Sequence, residues 1–233
     1  PEEVRSAYAG NAEQSILGHS QYAIFGYIVD GIFQNQAQVD AAPKQVGAGV
    51  GRLIYKDLNK DGVIDSKDQE FFGTTLPKLE YGVRINLAYK NFDLAIFGSG
   101  VSGRIGQDPY ITDDLFVQSR DNAGPGTLNA WTPTNTSSSI PAVTLSNNNN
   151  EFRVSNYLYR NNSYFKIRNL QFGYSLPSQI IKKWSMSQLR IYFQGENLFW
   201  FTPKGYIGSD PERTNTSQIP VPTTYSFGVS VNF

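Results

Sequence analysis

The sequence predicts an all-β, antiparallel fold: a segment of a transmembrane β-barrel with long extracellular loops. Three observations point there. Several stretches alternate apolar and polar residues with a period of two. Aromatics make up 14% of the chain, with 14 Tyr and 15 Phe, while mean hydropathy stays at −0.38, a composition suited to half-buried pleated surfaces. Tight connections between some of these stretches contrast with very long polar ones between others.

The alternating stretches come first. In YGVRINLAYK (81–90), Tyr81, Val83, Ile85, Leu87 and Tyr89 share one face, with Arg84, Asn86 and Lys90 on the other. NFDLAIFGSG follows at once, so a hairpin with a very short turn is expected at Lys90–Asn91. In SYFKIRNLQFGYSLP (163–177) the phase slips between Ile167 and Leu170, which a β-bulge near Arg168–Asn169 reconciles. QLRIYFQGENLFWF (188–201) sets Leu189, Ile191 and Phe193 opposite Arg190, Tyr192 and Gln194. The last stretch places Tyr225, Phe227, Val229, Val231 and the terminal Phe233 on one face. Lys90–Asn91 and PSQIIKKWSMS are the tight connections; residues 101–156 and 202–222 are the long polar ones. A compact soluble domain rarely carries a structureless connection near 50 residues. A membrane barrel joins strands by short turns on one side and long loops on the other. Tyr81 and Tyr89 stand at opposite ends of one face, as a double aromatic girdle requires.

Composition narrows the function. The 233 residues carry no net charge, which removes the electrostatic case for nucleic acid. There is no cysteine, hence no disulfide or thiolate site. No run of eighteen apolar residues forms a membrane helix, but barrel strands need only about 9–11 alternating residues. The start, PEEVRSAYAG, lacks a signal peptide's charge and apolar core, so a removed signal or a start partway through a longer protein is expected.

YKDLNKDGVIDSKDQEFFG (55–73) carries the clearest local motif. Counting from Asp57, side-chain oxygens fall at Asp57, Asn59, Asp61, Asp65 and Asp68, with Gly62 at the sixth position and the Val63 carbonyl at the seventh. Residues 57–68 thus follow the twelve-residue calcium loop, which serves a hard cation needing six to eight oxygens. Ile64 is expected to point inward as its anchor. Asp68 stands where glutamate is usual, and the flank RLIYK reads as strand, so the loop looks like the dockerin type. A structural calcium is expected. The competing reading is a turn in which Asp and Asn bond their own backbone.

Taken together, residues 22–41, 55–100, AWTPTN (130–135), 163–177, RIYFQGENLFWF (190–201) and the final SFGVSVNF resemble the C-terminal barrel part of SusC/RagA-type TonB-dependent outer-membrane transporters. The resemblance spans nearly the whole chain in order, so residues 1–233 are expected to form one barrel part, about the last eight strands of a 22-stranded barrel. It implies a plug and TonB-box that this stretch lacks, and a SusD-like surface lipoprotein acting as a lid. It also implies coupling to the TonB complex, and import of oligosaccharides or oligopeptides across the bacterial outer membrane. Partners would be the remainder of the transporter, those proteins and outer-membrane lipid. Phe233 resembles the C-terminal signal read by the membrane-insertion machinery.

No enzyme is expected. His19 is the single histidine, which leaves no triad or zinc site within the chain. Asp113–Asp114, and Asp210 with Glu212, read as loop residues. Lys182, Lys183 and Trp184 are expected on a short periplasmic turn, and Trp200 with Phe201 in a girdle. Trp131, in a loop, is the candidate for stacking on a substrate. The alternative reading is a soluble secreted β-domain with a dockerin-like calcium loop, acting in binding or adhesion.

Overall fold

The structure, a computed structural model, describes residues 16, 18–107, 111, 125–145, 148–204, 206, 210–212 and 221–233. Asp113–Asp114 and the N-terminal PEEVRSAYAG lie outside the described residues.

Five long strands form one antiparallel sheet: β5 (Leu79–Tyr89), β6 (Phe92–Ser102), β9 (Tyr164–Ser175), β10 (Gln188–Phe201) and β11 (Thr224–Asn232), in spatial order β11-β10-β9-β6-β5. The expected hairpin is present. Tyr89 pairs with Phe92 across Lys90–Asn91, and Lys90 adopts the left-handed conformation (φ 54°) that so tight a reversal requires. The bulge expected in β9 falls at Arg168. Phe97 faces Asn169 and Gly98 faces Ile167, so Arg168 is the extra residue against β6. On the other side β10 slips between Glu196 and Phe199, with Asn197 at φ 52°.

Registers bring the alternation of separate strands onto common faces. One row runs Tyr89–Phe92–Tyr174–Ile191–Val229, and the next Leu87–Leu94–Phe172–Phe193–Phe227. Further rows are Ile85–Ile96–Leu170 and Val83–Gly98–Ile167–Phe199, and then Tyr81–Gly100–Phe165–Phe201. Aliphatic rows therefore lie between two aromatic ones. Tyr81 stacks on Phe165 at 5.9 Å, and Phe92 on Phe172 at 5.7 Å. Eight residues separate Tyr81 from Tyr89, about 27 Å along a strand. The opposite face is polar. Arg190 pairs with Asp93 (Nε–Oδ1 2.9 Å), and Gln171 donates to Gln194. The Arg190–Asp93 pair lies over Gly173, where a Cβ would meet both side chains within 2.6 Å.

Nothing among the described residues covers the apolar face. Leu87 is 59% exposed, Tyr89 71% and Phe227 83%. A water-facing surface of this kind is uncharacteristic of a soluble monomer.

Both tight connections lie at one end of the sheet. The Ser175 N–H donates to the Asn91 carbonyl and the Ser187 N–H to the Asn232 carbonyl. The link from β9 to β10 winds through α2 (Ser178–Ile181) and a short 3-10 turn (Lys182–Trp184), on which Trp184 is exposed. Described residues between 23 and 74 and between 105 and 161 gather elsewhere into their own small core. They contribute β1 (Ala23–Tyr27) paired with β4 (Gln69–Thr74), β2 (Val29–Ile32) with β3 (Leu53–Tyr55), β7 (Ile105–Gln107) with β8 (Tyr159–Asn161), and the helix α1 (Gln36–Ala41). Ile32, Leu53, Tyr55, Ile64, Trp131, Tyr157 and Leu158 pack there. The asparagine-rich tract takes part. Buried Asn149 donates to Glu151, which accepts from the Leu53 N–H (2.8 Å) and from Arg52 (2.9 Å). Burial raises the Tyr55 hydroxyl well above its usual range, and Arg153 stacks over its ring at 4.3 Å. Among the described residues the long sheet holds five strands, against the eight or so expected in the barrel wall, and six further short strands pair outside it.

Candidate functional site

Two places combine unusual chemistry. The first is the acidic loop at 57–68. Its backbone turns at Lys60 (φ 58°) and Gly62 (φ 82°). Ile64 is buried in the loop core as expected, and the segment is pinned by the Lys44 N–H to the Gly62 carbonyl (2.8 Å) and the Ile64 N–H to the Lys44 carbonyl (2.9 Å).

Most of the loop's oxygens accept from its own backbone. Asp57 Oδ2 takes the Gly62 N–H (2.8 Å), Asn59 Oδ1 the Asp61 N–H, and Asp61 Oδ1 the Val63 N–H. Asp65 Oδ1 takes the Lys67 N–H, while fully buried Asp68 accepts from the Leu58 and Asp65 N–H groups. Hydrogen bonds from Asn59 and then from the Val63 N–H hold the exposed Asp61 carboxyl below its usual range. Among the described residues, no three Asp, Glu or His side chains converge as a metal shell. One atom departs from this turn chemistry: Asp57 Oδ1 is buried with no hydrogen-bond partner.

Trp131 is not presented to a ligand. It is 6% exposed within the loop core, its Nε1 donates to Gln34 (2.8 Å), and Gly51 packs beneath its ring. An indole buried on both faces has none left for stacking, so the loop position that suggested a ligand role instead marks a core residue. Phe201 lies in an aromatic row of the apolar face. Trp200 does not: it pairs with Lys166 on the polar face, with the ammonium 5.8 Å from its ring. Phe233 is 87% exposed beyond Asn232, at the end of the tight connections. His19 stacks on Phe71 at 3.9 Å.

The second place was read from sequence as ordinary loop. On the polar face of β9, the Lys166 side chain is 0% exposed. Its ammonium donates to Glu212 (3.0 Å) and Asp210 (3.4 Å), whose segment folds against the sheet. Glu212 also accepts from both terminal nitrogens of Arg168 and from the Tyr164 hydroxyl (3.0 Å). Arg168 in turn donates to Ser99 (2.7 Å), and Arg104 to the Pro211 carbonyl (2.8 Å). Burial opposes the Glu212 charge, but the bonds from Arg168, Lys166 and Tyr164 outweigh it and lower the carboxyl to about 2. A depressed acid stabilises fully above its ordinary value of 4.5, and that contribution is lost as pH falls through about 2. A cavity of about 520 Å³ lies alongside, lined by Glu80, Ser99, Arg104, Tyr164 and Arg168 among others. The bulge is what turns Arg168 toward this cluster. The phase slip was legible; its partner, 44 residues away, was not.

No family model matches the chain. It is similar to TonB-dependent receptor P3 of Formosa agariphila, 29% identical over 233 residues, covering 93% of this chain and 22% of that protein. TonB-dependent receptor SusC of Bacteroides thetaiotaomicron is 25% identical over 213 residues, covering 89% of this chain and 20% of that protein. Among solved structures, the RagAB peptide transporter superposes with a TM-score of 0.66 at 20% identity, over 91% of this chain and 22% of that one. The RagAB peptide importer in its open-open state gives 0.60 at 19% identity, over 90% and 22%. The chain thus spans about a fifth of the length of the proteins it matches.

Proposed function

This chain is a homologue of TonB-dependent receptors of the SusC type, and we propose that it forms part of the wall of an outer-membrane β-barrel importing nutrients. One observation carries the reading: a five-stranded antiparallel sheet exposes a continuous apolar face, banded at both ends by aromatics, and keeps its polar groups on the other face. Hydrocarbon is the solvent in which such a face costs nothing, and a wet conduit suits the other. Among the described residues, β5 and β11 each have a free edge in the sheet. In a membrane an open edge leaves backbone groups unbonded, so these edges meet the remaining strands of the transporter.

In this reading the tight connections face the periplasm and the loop core faces outward, where a SusD-like lipoprotein would close over it. A plug domain would couple to TonB, and the cargo would be oligopeptides or oligosaccharides. Calcium would be held by Asp57, Asn59, Asp61, Asp65 and Asp68 with the Val63 carbonyl. The orphaned Asp57 Oδ1 supports that assignment, and the ion would supply charge balance and rigidity, not chemistry.

The soluble-module alternative leaves the apolar face in water. The full-length protein is therefore expected to sediment with outer membranes, resist carbonate extraction and enter solution only with detergent. A protein that stays folded and monomeric without detergent would overturn the barrel.

A further inference from the structure

We propose that Asp210, Pro211 and Glu212 form an electrostatic latch that seats this short segment on the polar wall, so that it narrows the lumen there. The inference rests on the barrel reading, since it takes the polar face as the lumen side.

The wall needs the loop as much as the loop needs the wall. Lys166 is wholly buried, and a buried ammonium without partners is strongly disfavoured. Its two carboxylate partners both come from 210–212. The loop's own acceptors are spent in the same contact. Glu212 takes Lys166, Arg168 and Tyr164, and Asp210 takes Lys166 together with the Glu212 and Val221 N–H groups. Arg104 holds the Pro211 carbonyl from a second element, the link between β6 and β7. Arg168 grips Glu212 through both terminal nitrogens, a fork that fixes direction as well as distance. Pro211 is itself fully buried beneath these contacts. Three successive residues are thus tied, Asp210 and Glu212 to side chains of β9 and Pro211 to Arg104.

The test uses the full-length transporter in cells, with Pro211→Cys as a reporter and a membrane-impermeant maleimide as the probe. Labelling at that position is read by mass spectrometry. With the latch intact the introduced thiol is protected. Adding Glu212→Gln or Arg168→Glu is expected to speed labelling by about tenfold or more, the loss of one charged hydrogen bond. Glu212→Asp, which keeps a carboxylate for Lys166 and Arg168, is expected to speed labelling much less. Fast labelling with the latch intact, or equal rates with and without Glu212→Gln, would sink the proposal; so would equal rates for Glu212→Asp and Glu212→Gln. Heat-modifiable mobility on the same samples reports the barrel separately. Its absence from the unmutated protein counts against the barrel reading, and its presence beside unchanged labelling counts against the latch alone.

Discussion

Asp57 and Glu212 show how differently two carboxylates in the same chain are treated. Glu212 has a cationic or hydroxyl donor at every turn. Asp57 has one oxygen on the Gly62 N–H and the other buried with nothing to accept. An unsatisfied buried acceptor costs about 1–3 kcal/mol, and a bound cation would remove that cost. At 10 mM calcium, a site of about millimolar affinity stabilises by roughly 1.4 kcal/mol. The full-length protein is expected to melt higher in calcium than in chelator, and Asp57→Ala and Asp61→Ala should each abolish the difference. If Asp61→Ala keeps the wild-type shift, the loop is only a turn. The spacing of the six proposed ligand positions was legible in the sequence because each donor sits within twelve residues of the others. The turn chemistry that competes for the same oxygens is equally local, so spacing cannot choose between them.

At the scale of elements, the paired irregularity in β9 and β10 decides which residues join the polar face. Straight alternation would place Arg168 on one face and Asn169 on the other; the bulge keeps both from the apolar side. Opposite it, Asn197 holds φ 52°, which asparagine and glycine accept and β-branched residues resist. Asn197→Val should lower barrel stability by about 1–2 kcal/mol, read from the urea midpoint in lipid vesicles, whereas Asn197→Gly should lose much less. Equal midpoints for the two variants would mean that the strain is relieved elsewhere. The hairpin at Lys90–Asn91 and the slip in β9 were both visible as breaks in a period-two pattern. Trp200 was misplaced because a strand end suggested a girdle, although its parity with Arg190 and Tyr192 already put it on the polar side.

For the molecule as a whole, the apolar band and the polar wall respond oppositely to charge. Ile96 lies midway between the aromatic rows, and Ile96→Arg should cost about 2–4 kcal/mol in a bilayer. Gln194→Arg, on the polar face, should change stability little. Both are measured by denaturant titration of the full-length protein in vesicles. Similar costs at the two positions would mean that both faces are dry, as in a stacked sandwich.

By itself the sequence determined the five long strands, most of their faces, the tight hairpin and the bulge, because a pleated chain repeats every two residues and each of these is written within a dozen. Only the tertiary structure decided that Trp131 is core and that Asp210 and Glu212 close over Lys166. Those outcomes depend on which strands lie side by side, and pairing across 46 residues is chosen by sheet register and burial, not by neighbours along the chain.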